Sequence, residues 1–102
     1  MGDFTLEIDY YEIKKPFSIE GKEYSAICAI SIDFDIEEDE DHAGVFYRPI
    51  GVEFDIHDVA FYHKDDEIPE SDITEEMLDC AKSMIDTRDF NERMVYAYRE
   101  QR

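Results

Sequence analysis

The sequence predicts an α+β fold: an antiparallel sheet of four to five strands over residues ~3–63, followed by two C-terminal helices, at ~73–86 and ~90–100, packed on one face. Strand-like alternation fills the first 60 residues, and helical spacing of apolar residues appears only after residue 72. The 102 residues leave room for one core, so residues 1–102 are expected to form a single acidic domain.

A period-2 pattern opens the chain and predicts a half-buried first strand. Its apolar members are Phe4, Leu6, Ile8 and Tyr10. Pro16 ends the pattern because proline cannot donate to a strand ladder. Residues 17–19 then predict a short second strand, and Gly21 supplies the positive φ that a hairpin turn requires.

The third strand has the longest alternation in the chain. Its apolar residues all fall on even positions: Tyr24, Ala26, Cys28, Ile30, Ile32, Phe34 and Ile36. We expect the two helices to cover this face. The opposite face becomes acidic at Asp33 and Asp35. Residues 38–44 cannot be buried, so we expect a solvated loop there.

Strand character resumes after this predicted loop. Residues 45–50 and 52–57 predict strands that are broken near Gly51, and residues 59–63 continue them after a bend. Residues 64–70 are expected to form a loop.

Both helices are predicted from similar start signals. Asp72 followed by Glu75 has the form of a capping box, with Asp72 as the N-cap, and Asp89 followed by Glu92 repeats it. The sequence leaves open whether residues 87–89 break one long helix or only bend it.

The charge of the chain is large and unevenly distributed. There are 28 acidic residues against ten Lys and Arg, which gives a formal net charge of −18. Residues 33–41 contain seven acidic residues and residues 65–79 contain eight, with no basic residue in either segment. Such a chain is repelled by nucleic acids and by anionic membranes, so we expect it to bind neither.

The predicted strands place acidic residues on the sheet face away from the helices. They are Glu7 and Asp9, Asp33 and Asp35, and Glu53 and Asp55. Like charges on adjacent strands cost roughly 0.2–1 kcal/mol per pair, and a small domain stays soluble with a net charge of about 2–8. If the third strand continued to Asp41, five carboxylates would follow one another about 6.6–6.8 Å apart.

This pattern favours a protein that interacts through its charge. Nucleic acid also presents one negative charge per nucleotide on each strand, so a carboxylate series suits Lys and Arg side chains that normally hold phosphates. We therefore expect a non-enzymatic binding protein that docks on a basic, nucleic-acid-handling protein and blocks its groove. The expected partner-binding residues are Asp33, Asp35, Glu37, Glu38, Asp39, Glu40, Asp41, Glu53 and Asp55, with Asp65, Asp66, Glu67 and Glu70 as a second patch.

In size and charge the chain is similar to two functional groups of proteins. One is the small acidic phage-type DNA mimics that block restriction or CRISPR nucleases, and the other is small acidic immunity proteins or antitoxins. The similarity is one of composition and involves no motif. It implies a nuclease or another nucleic-acid-binding protein as the partner.

Other functions have weaker support in the sequence. An acidic surface that serves solvation alone is the simplest alternative. Assembly into homo-oligomers, for instance a homodimer, through Met94, Tyr96 and Tyr98 or through an uncovered sheet edge is another. A cation-binding module is a third, because residues 39–44 match an EF-hand loop at positions 1, 3 and 6; Ala43 at position 5 and Ile50 at position 12 depart from it.

Cofactor and catalytic signals are missing from the sequence. No nucleotide-binding, hydrolase or metalloprotease motif occurs, so we expect neither an enzyme nor a cofactor or metal site. His57 and His63 lie six residues apart, about 20 Å along one strand, which is too far to share an ion. Cys28 and Cys80 are interpreted as small buried hydrophobic residues in a reducing compartment. With no secretory signal and no apolar stretch of membrane-spanning length, we expect a cytoplasmic protein.

Overall fold

The structure, a computed structural model, describes residues 2–101 and confirms the predicted α+β class. Five strands come first: β1 (Phe4–Glu12), β2 (Phe17–Ile19), β3 (Lys22–Asp41), β4 (Gly44–His63) and β5 (Asp66–Glu67). Two helices follow, α1 (Glu75–Ser83) and α2 (Asn91–Gln101), each preceded by a 3₁₀ segment, at Glu70–Asp72 and at Thr87–Phe90.

The sheet is antiparallel, with the strand order β1-β3-β4-β5 and with β2 paired to β3. The β2–β3 hairpin turns at Glu20 and Gly21, whose φ angles are 52° and 79°. The β4–β5 hairpin turns at Lys64 and Asp65, with φ angles of 50° and 67°. Two consecutive positive φ angles are typical of the type I′ turn, whose twist matches that of the flanking strands. The turn predicted at Gly21 is therefore confirmed.

The predicted loop over residues 38–44 is wrong. β3 continues to Asp41, only His42 and Ala43 form the turn, and β4 starts at Gly44. The Asp41 carboxylate accepts a hydrogen bond of 2.7 Å from the Ala43 N–H, a side-chain contact that stabilises the reversal. The acidic residues remain in a strand because strand pairing satisfies their backbone while their side chains stay in water. The loop predicted at residues 64–70 is likewise replaced in part by β5 and by a 3₁₀ segment.

The two helices are separate elements, and α1 starts later than predicted. The N-cap of α1 is Thr74, whose hydroxyl accepts a 3.2 Å hydrogen bond from the Met77 N–H. Asp72, the predicted N-cap, lies in the preceding 3₁₀ segment. The chain leaves α1 at Met84, and a 3₁₀ segment leads into α2 at Asn91, so residues 87–89 do not belong to one continuous helix.

The described chain divides into two compact units. The first unit comprises residues 2–7, 31–55 and 87–101, and the second comprises residues 8–30 and 56–86. Each of the long strands β3 and β4 contributes residues to both units. The expectation of a single domain stays a prediction.

The second unit has a core that joins strands to α1. Its fully packed members are Ile13, Phe17, Ala26, Phe61, Met77 and Ala81. The rings of Phe17 and Phe61 meet edge to face, with their centroids 6.0 Å apart. Met77 and Ala81 lie one helical turn apart on α1, so a single face of this helix covers the strands.

The first unit has its own apolar layer between strands and α2. Ile32, Phe34, Phe90, Met94 and Ala97 are all buried. Phe4 packs edge to face on Tyr98 of α2, at 4.9 Å between ring centroids, and lies 5.9 Å from the Phe34 ring. The even-numbered side of β3 is therefore the side that α2 covers in this unit, as the alternation predicts.

β4 keeps its apolar side inward by shifting its alternation twice. Its inward residues are Tyr47 and Pro49, then Val52, Phe54 and Ile56, then Val59 and Phe61. Each shift occurs at two consecutive exposed residues, Ile50–Gly51 and His57–Asp58, and Gly51 and Asp58 have φ angles of 58° and 50°. A one-residue shift of this kind is the signature of a β-bulge. The predicted break and bend are thus bulges within one continuous strand.

β1 contains a similar shift. Ile8 is buried, but Asp9 and Tyr10 are both exposed, and Tyr11 then packs against the core of the second unit. The prediction that Tyr10 belongs to the apolar face is wrong, since 64% of its surface is exposed.

Candidate protein-binding surface

The acidic segment of β3 forms a regular row. Successive odd positions of a strand project to one face about 6.6–6.8 Å apart. We call the five side chains on this face the carboxylate row: Asp33, Asp35, Glu37, Asp39 and Asp41. The first four are half-buried, and Asp41 is exposed.

Neutral donors from the first unit orient the start of the carboxylate row. The Thr5 hydroxyl donates to Asp33 at 3.0 Å, and the Asp3 backbone N–H donates to Asp35 at 2.9 Å. The Ser31 hydroxyl donates to Glu7 at 2.7 Å beside them. These hydrogen bonds fix the carboxylates without adding a positive charge, so the row is both ordered and anionic.

β4 adds two acidic residues to the same face. A Cβ atom on Gly51 would lie 3.8 Å from the Asp35 carboxylate, so position 51 faces the carboxylate row. Strand alternation then places Glu53 and Asp55 on this face, and both are exposed.

Only one basic residue lies among these carboxylates. Residues 31–55 contain nine acidic residues and a single Arg or Lys, Arg48. Its guanidinium contacts the Glu37 carboxylate and lies 3.6 Å from the Asp39 carboxylate. The arginine side chain is 59% exposed, and an exposed ion pair contributes only about 0–1 kcal/mol. The surface therefore remains strongly negative.

Two of the predicted partner-binding residues lie apart from the row. Glu38 and Glu40 occupy even positions of β3, on the other side of the strand. The Glu38 carboxylate accepts a 3.1 Å hydrogen bond from the Tyr98 hydroxyl of α2. Strand alternation thus separates these two residues from the carboxylates that share a face.

The predicted second patch belongs to the second unit. Its four residues, Asp65, Asp66, Glu67 and Glu70, are all exposed. They lie on a turn, on a two-residue strand and in a 3₁₀ segment. They share no regular strand face, which distinguishes them from the carboxylate row.

Two exposed apolar residues border the carboxylate row, and sequence reasoning did not assign them to the site. Phe46 is 47% exposed and Ile50 is 38% exposed. Because Arg48 reaches Glu37 and Asp39, alternation places its neighbours Phe46 and Ile50 on the same face. The sequence signal for this placement was the two-residue spacing of positions 46, 48 and 50, which puts them on one face of a strand. That face could be identified as the face of the carboxylate row only after the hairpin had placed β4 beside β3.

The remaining sequence candidates do not converge on a catalytic or metal site. The Nδ1 atom of His57 lies 3.2 Å from Asp58, and that of His63 lies 2.9 Å from the Glu23 carbonyl. Over residues 2–101, no three His, Cys, Asp or Glu side chains are arranged to hold a metal ion.

The two cysteines differ in their surroundings. Cys28 is buried, and burial raises the pKa of its thiol. Cys80 is only half-buried, so the prediction of two buried cysteines is wrong for this residue.

The α2 residues proposed for self-assembly mostly pack or form hydrogen bonds within the first unit. Met94 is fully buried, and Tyr98 packs on Phe4 and donates to Glu38. Tyr96 remains 66% exposed. Of the predicted oligomer interface on α2, only this tyrosine is exposed.

Comparison with protein-family models, with curated proteins and with solved structures finds no match to this chain. In the part of the chain that the structure describes, no helix has the length and apolar character needed to cross a lipid bilayer.

Proposed function

We propose that this protein is a non-enzymatic acidic inhibitor that docks on a basic, nucleic-acid-handling protein and occupies its nucleic-acid groove. The observation that carries the proposal is the carboxylate row, which is held in register by a strand and by neutral hydrogen-bond donors, with Arg48 as the single Lys or Arg between residues 31 and 55.

The spacing of the row supports a nucleic-acid-binding partner. Its charges recur about every 6.6–6.8 Å, and a nucleic-acid strand carries one charge per nucleotide. Lys and Arg side chains that line a nucleic-acid groove would meet a comparable series of anions on β3. Long-range attraction would also accelerate the encounter, and salt would weaken it.

The apolar border of the row supports a protein partner over small cations. Phe46 and Ile50 expose apolar surface beside the carboxylates. Aromatic residues are enriched in protein–protein interfaces, whereas a cation site needs only oxygen ligands.

An acidic surface that serves only to keep the protein in solution explains the carboxylate row less well than a binding surface does. Acidic residues that serve solubility can lie on any exposed segment, whereas like charges on adjacent strands cost roughly 0.2–1 kcal/mol per pair. The first unit nevertheless concentrates them on one strand face and orients them with the hydroxyl of Thr5 and the backbone of Asp3. We infer that this order serves recognition.

The partner is a nuclease or another nucleic-acid-binding protein, as the compositional similarity to phage-type DNA mimics and immunity proteins also suggests. We place the encounter in the cytoplasm, where free thiols such as Cys28 and Cys80 remain reduced. Neither nucleic acid nor a membrane is a direct ligand.

The test uses isosteric neutral substitutions that keep hydrogen-bond acceptors in place. The row variant combines D33N, D35N, E37Q, D39N and D41N, and its matched control combines D65N, D66N, E67Q and E70Q in the second unit. The basic protein captured from host lysate at low salt is loaded with labelled duplex DNA, and displacement of the DNA is measured against salt concentration.

We expect the unmodified protein to displace the DNA, and the row variant to need at least about tenfold higher concentration with a shallower salt dependence. The control variant should resemble the unmodified protein. Equal displacement by the row variant, with an unchanged salt slope, would remove the proposal. Charge reversal at positions 33, 35, 39 and 41 to Lys should abolish displacement.

A further inference from the structure

The first unit has an open strand edge. β4 pairs with β3 along one edge, and among residues 2–101 its other edge is paired by β5 only, at Tyr62 and His63. Residues 44–53 of β4 therefore present backbone groups that no strand of the described chain covers. An open edge of this length is a template for an additional strand.

Proline identifies which backbone groups face this edge. Pro49 has no N–H and is tolerated within β4 only where none is needed, on the side away from β3. The direction of the N–H groups alternates along a strand, so those of Val45 and Tyr47 point toward the same open edge. They are available as donors to an added strand.

A groove of mixed polarity lies beside this edge, on the α2 side of the sheet. Its volume is about 430 Å³, and it is lined from β4 by Tyr47, Arg48 and Pro49 and from α2 by Asn91, Glu92, Val95, Tyr96 and Arg99. The Arg99 guanidinium lies 5.4 Å from the centre of the Tyr47 ring. We call this feature the edge groove. Its aromatic walls contrast with the carboxylate row on the opposite face.

We propose that the open edge of β4 binds an extended segment of the basic partner as an additional strand of the sheet. This inference rests on the proposed function and specifies the partner's segment. Successive side chains of an added strand point to opposite faces. Those on one face would lie beside the exposed side chains of β4, of which Arg48 already contacts Glu37 and Asp39. Lys or Arg side chains at the flanking positions would extend across Phe46 and Ile50 to the carboxylates of β3. Those on the other face would enter the edge groove. The segment therefore alternates basic and apolar residues.

Charge favours a separate basic partner over a second copy of this chain. Each copy carries a formal net charge of −18, so two copies repel each other. A second β4 would also bring its own Glu53 and Asp55 to the acidic face. A strand with Lys or Arg at alternate positions has the complementary charge.

The test uses synthetic peptides, so that the protein itself is unchanged. The probe is a labelled ten-residue peptide that alternates Lys and Val, and the control peptide has the same composition with its lysines and valines in separate blocks. Two further probes are the alternating peptide N-methylated at every Lys or at every Val. Binding to the full chain is measured by fluorescence anisotropy at low and at physiological salt.

We expect the alternating peptide to bind about tenfold more tightly than the block peptide. One N-methylated set should lose this advantage and the other should keep it, because only one set of N–H groups faces β4. Both peptides carry the same charge, so the comparison isolates strand addition from general electrostatic attraction.

Protein variants locate the peptide. V45P removes an N–H from the open edge, and Y96S removes an aromatic wall of the edge groove. Each should weaken the alternating peptide about fivefold or more, while the block peptide is unaffected. The matched control is Y10S, which removes a comparably exposed tyrosine from the second unit and should change nothing.

The outcomes separate this inference from the proposed function. Equal binding of alternating and block peptides overturns strand addition while the row variant can still support charge-driven docking. A chain that dimerises in light scattering, and becomes monomeric as V45P, shows that a second copy occupies the edge and also overturns the inference. If no peptide binds and DNA displacement is also absent, both proposals fail.

Discussion

The two units of this protein each contain a strongly acidic segment, and they arrange it in different ways. In the first unit residues 33–41 lie on a continuous strand, whose alternation lines up five carboxylates. In the second unit residues 65–79 cross a turn, a short strand, a 3₁₀ segment and the start of α1. The comparison shows that regular backbone, rather than the amount of charge, creates an anionic surface with a defined spacing.

The acidic residues also have different physical roles in the two units. Glu75 and Glu76 occupy the first turn of α1, where the helix macrodipole stabilises negative charge. On β3 the acidic side chains follow one another along one face and repel each other, and Arg48 is the only Lys or Arg among residues 31–55. Charge thus supports folding at the start of α1 and opposes it along the carboxylate row. We interpret the second situation as the mark of a binding surface.

The largest effect is expected from removing a core side chain in either unit. F34A in the first unit and F61A in the second each empty a fully buried site, which costs about 3–5 kcal/mol of unfolding free energy. Urea denaturation followed by circular dichroism measures the loss. Hydrogen exchange on the same variants shows whether each cavity destabilises its own unit first. A cost below about 1 kcal/mol would contradict the observed packing.

The next effect concerns the start of α1 in the second unit. T74A removes the side chain that caps the Met77 N–H and should lower the unfolding free energy by about 1 kcal/mol. D72A is the matched control. Asp72 lies outside α1, in the preceding 3₁₀ segment, so this substitution should change the unfolding free energy much less. A larger loss of unfolding free energy with D72A than with T74A would indicate that Asp72, the N-cap predicted from the sequence, caps α1 instead of Thr74.

A smaller effect of opposite sign is expected on the carboxylate row. D35N retains an oxygen that accepts from the Asp3 N–H and removes one like charge, so it should raise the unfolding free energy by roughly 0.2–1 kcal/mol at low salt. The gain should shrink as salt screens the repulsion. D65N in the second unit should show no such gain in unfolding free energy. Equal gains for D35N and D65N would show that like-charge repulsion is no stronger along the carboxylate row than in the acidic segment of the second unit.

The smallest expected effect is a difference in reactivity between the two cysteines of the second unit. Burial raises the pKa of Cys28, so a smaller fraction of this thiol ionises at any given pH, and its reaction with iodoacetamide should be slow. Cys80 is half-buried and should react first. Mass spectrometry over a pH series measures both rates. Faster labelling of Cys28 would indicate that the second unit opens readily.

Several features followed from local sequence alone. The apolar even positions of β3 identified the side covered by α2 in the first unit, because a strand exposes alternate residues to opposite faces. Gly21 marked the β2–β3 turn because its conformation is accessible to few other residues. The start of α1 was misplaced, because Asp72 and Thr74 are both good N-caps and only the observed fold selects one.

The candidate surface was only partly accessible to sequence reasoning. The alternation of Asp33 and Asp35 predicted their common face, but the apolar pattern ended at Ile36 and gave no reason to extend the strand. Pairing in the β3–β4 hairpin supplied that reason. The position of Phe46 beside the carboxylate row could not be predicted without knowing how β4 pairs with β3. The edge groove could not be predicted without knowing how α2 lies against β4.

The amino-acid order by itself determined the class of fold, the uneven charge and the side of β3 that is buried, because each follows from spacing within a short segment. The tertiary structure decided the length of the carboxylate row, the bond from Tyr98 to Glu38 and the bulges at Gly51 and Asp58. These depend on hydrogen bonds and packing between residues distant in the chain, such as the 60 positions that separate Glu38 from Tyr98. A periodic pattern specifies which way a side chain points, and only the folded neighbours specify what it meets.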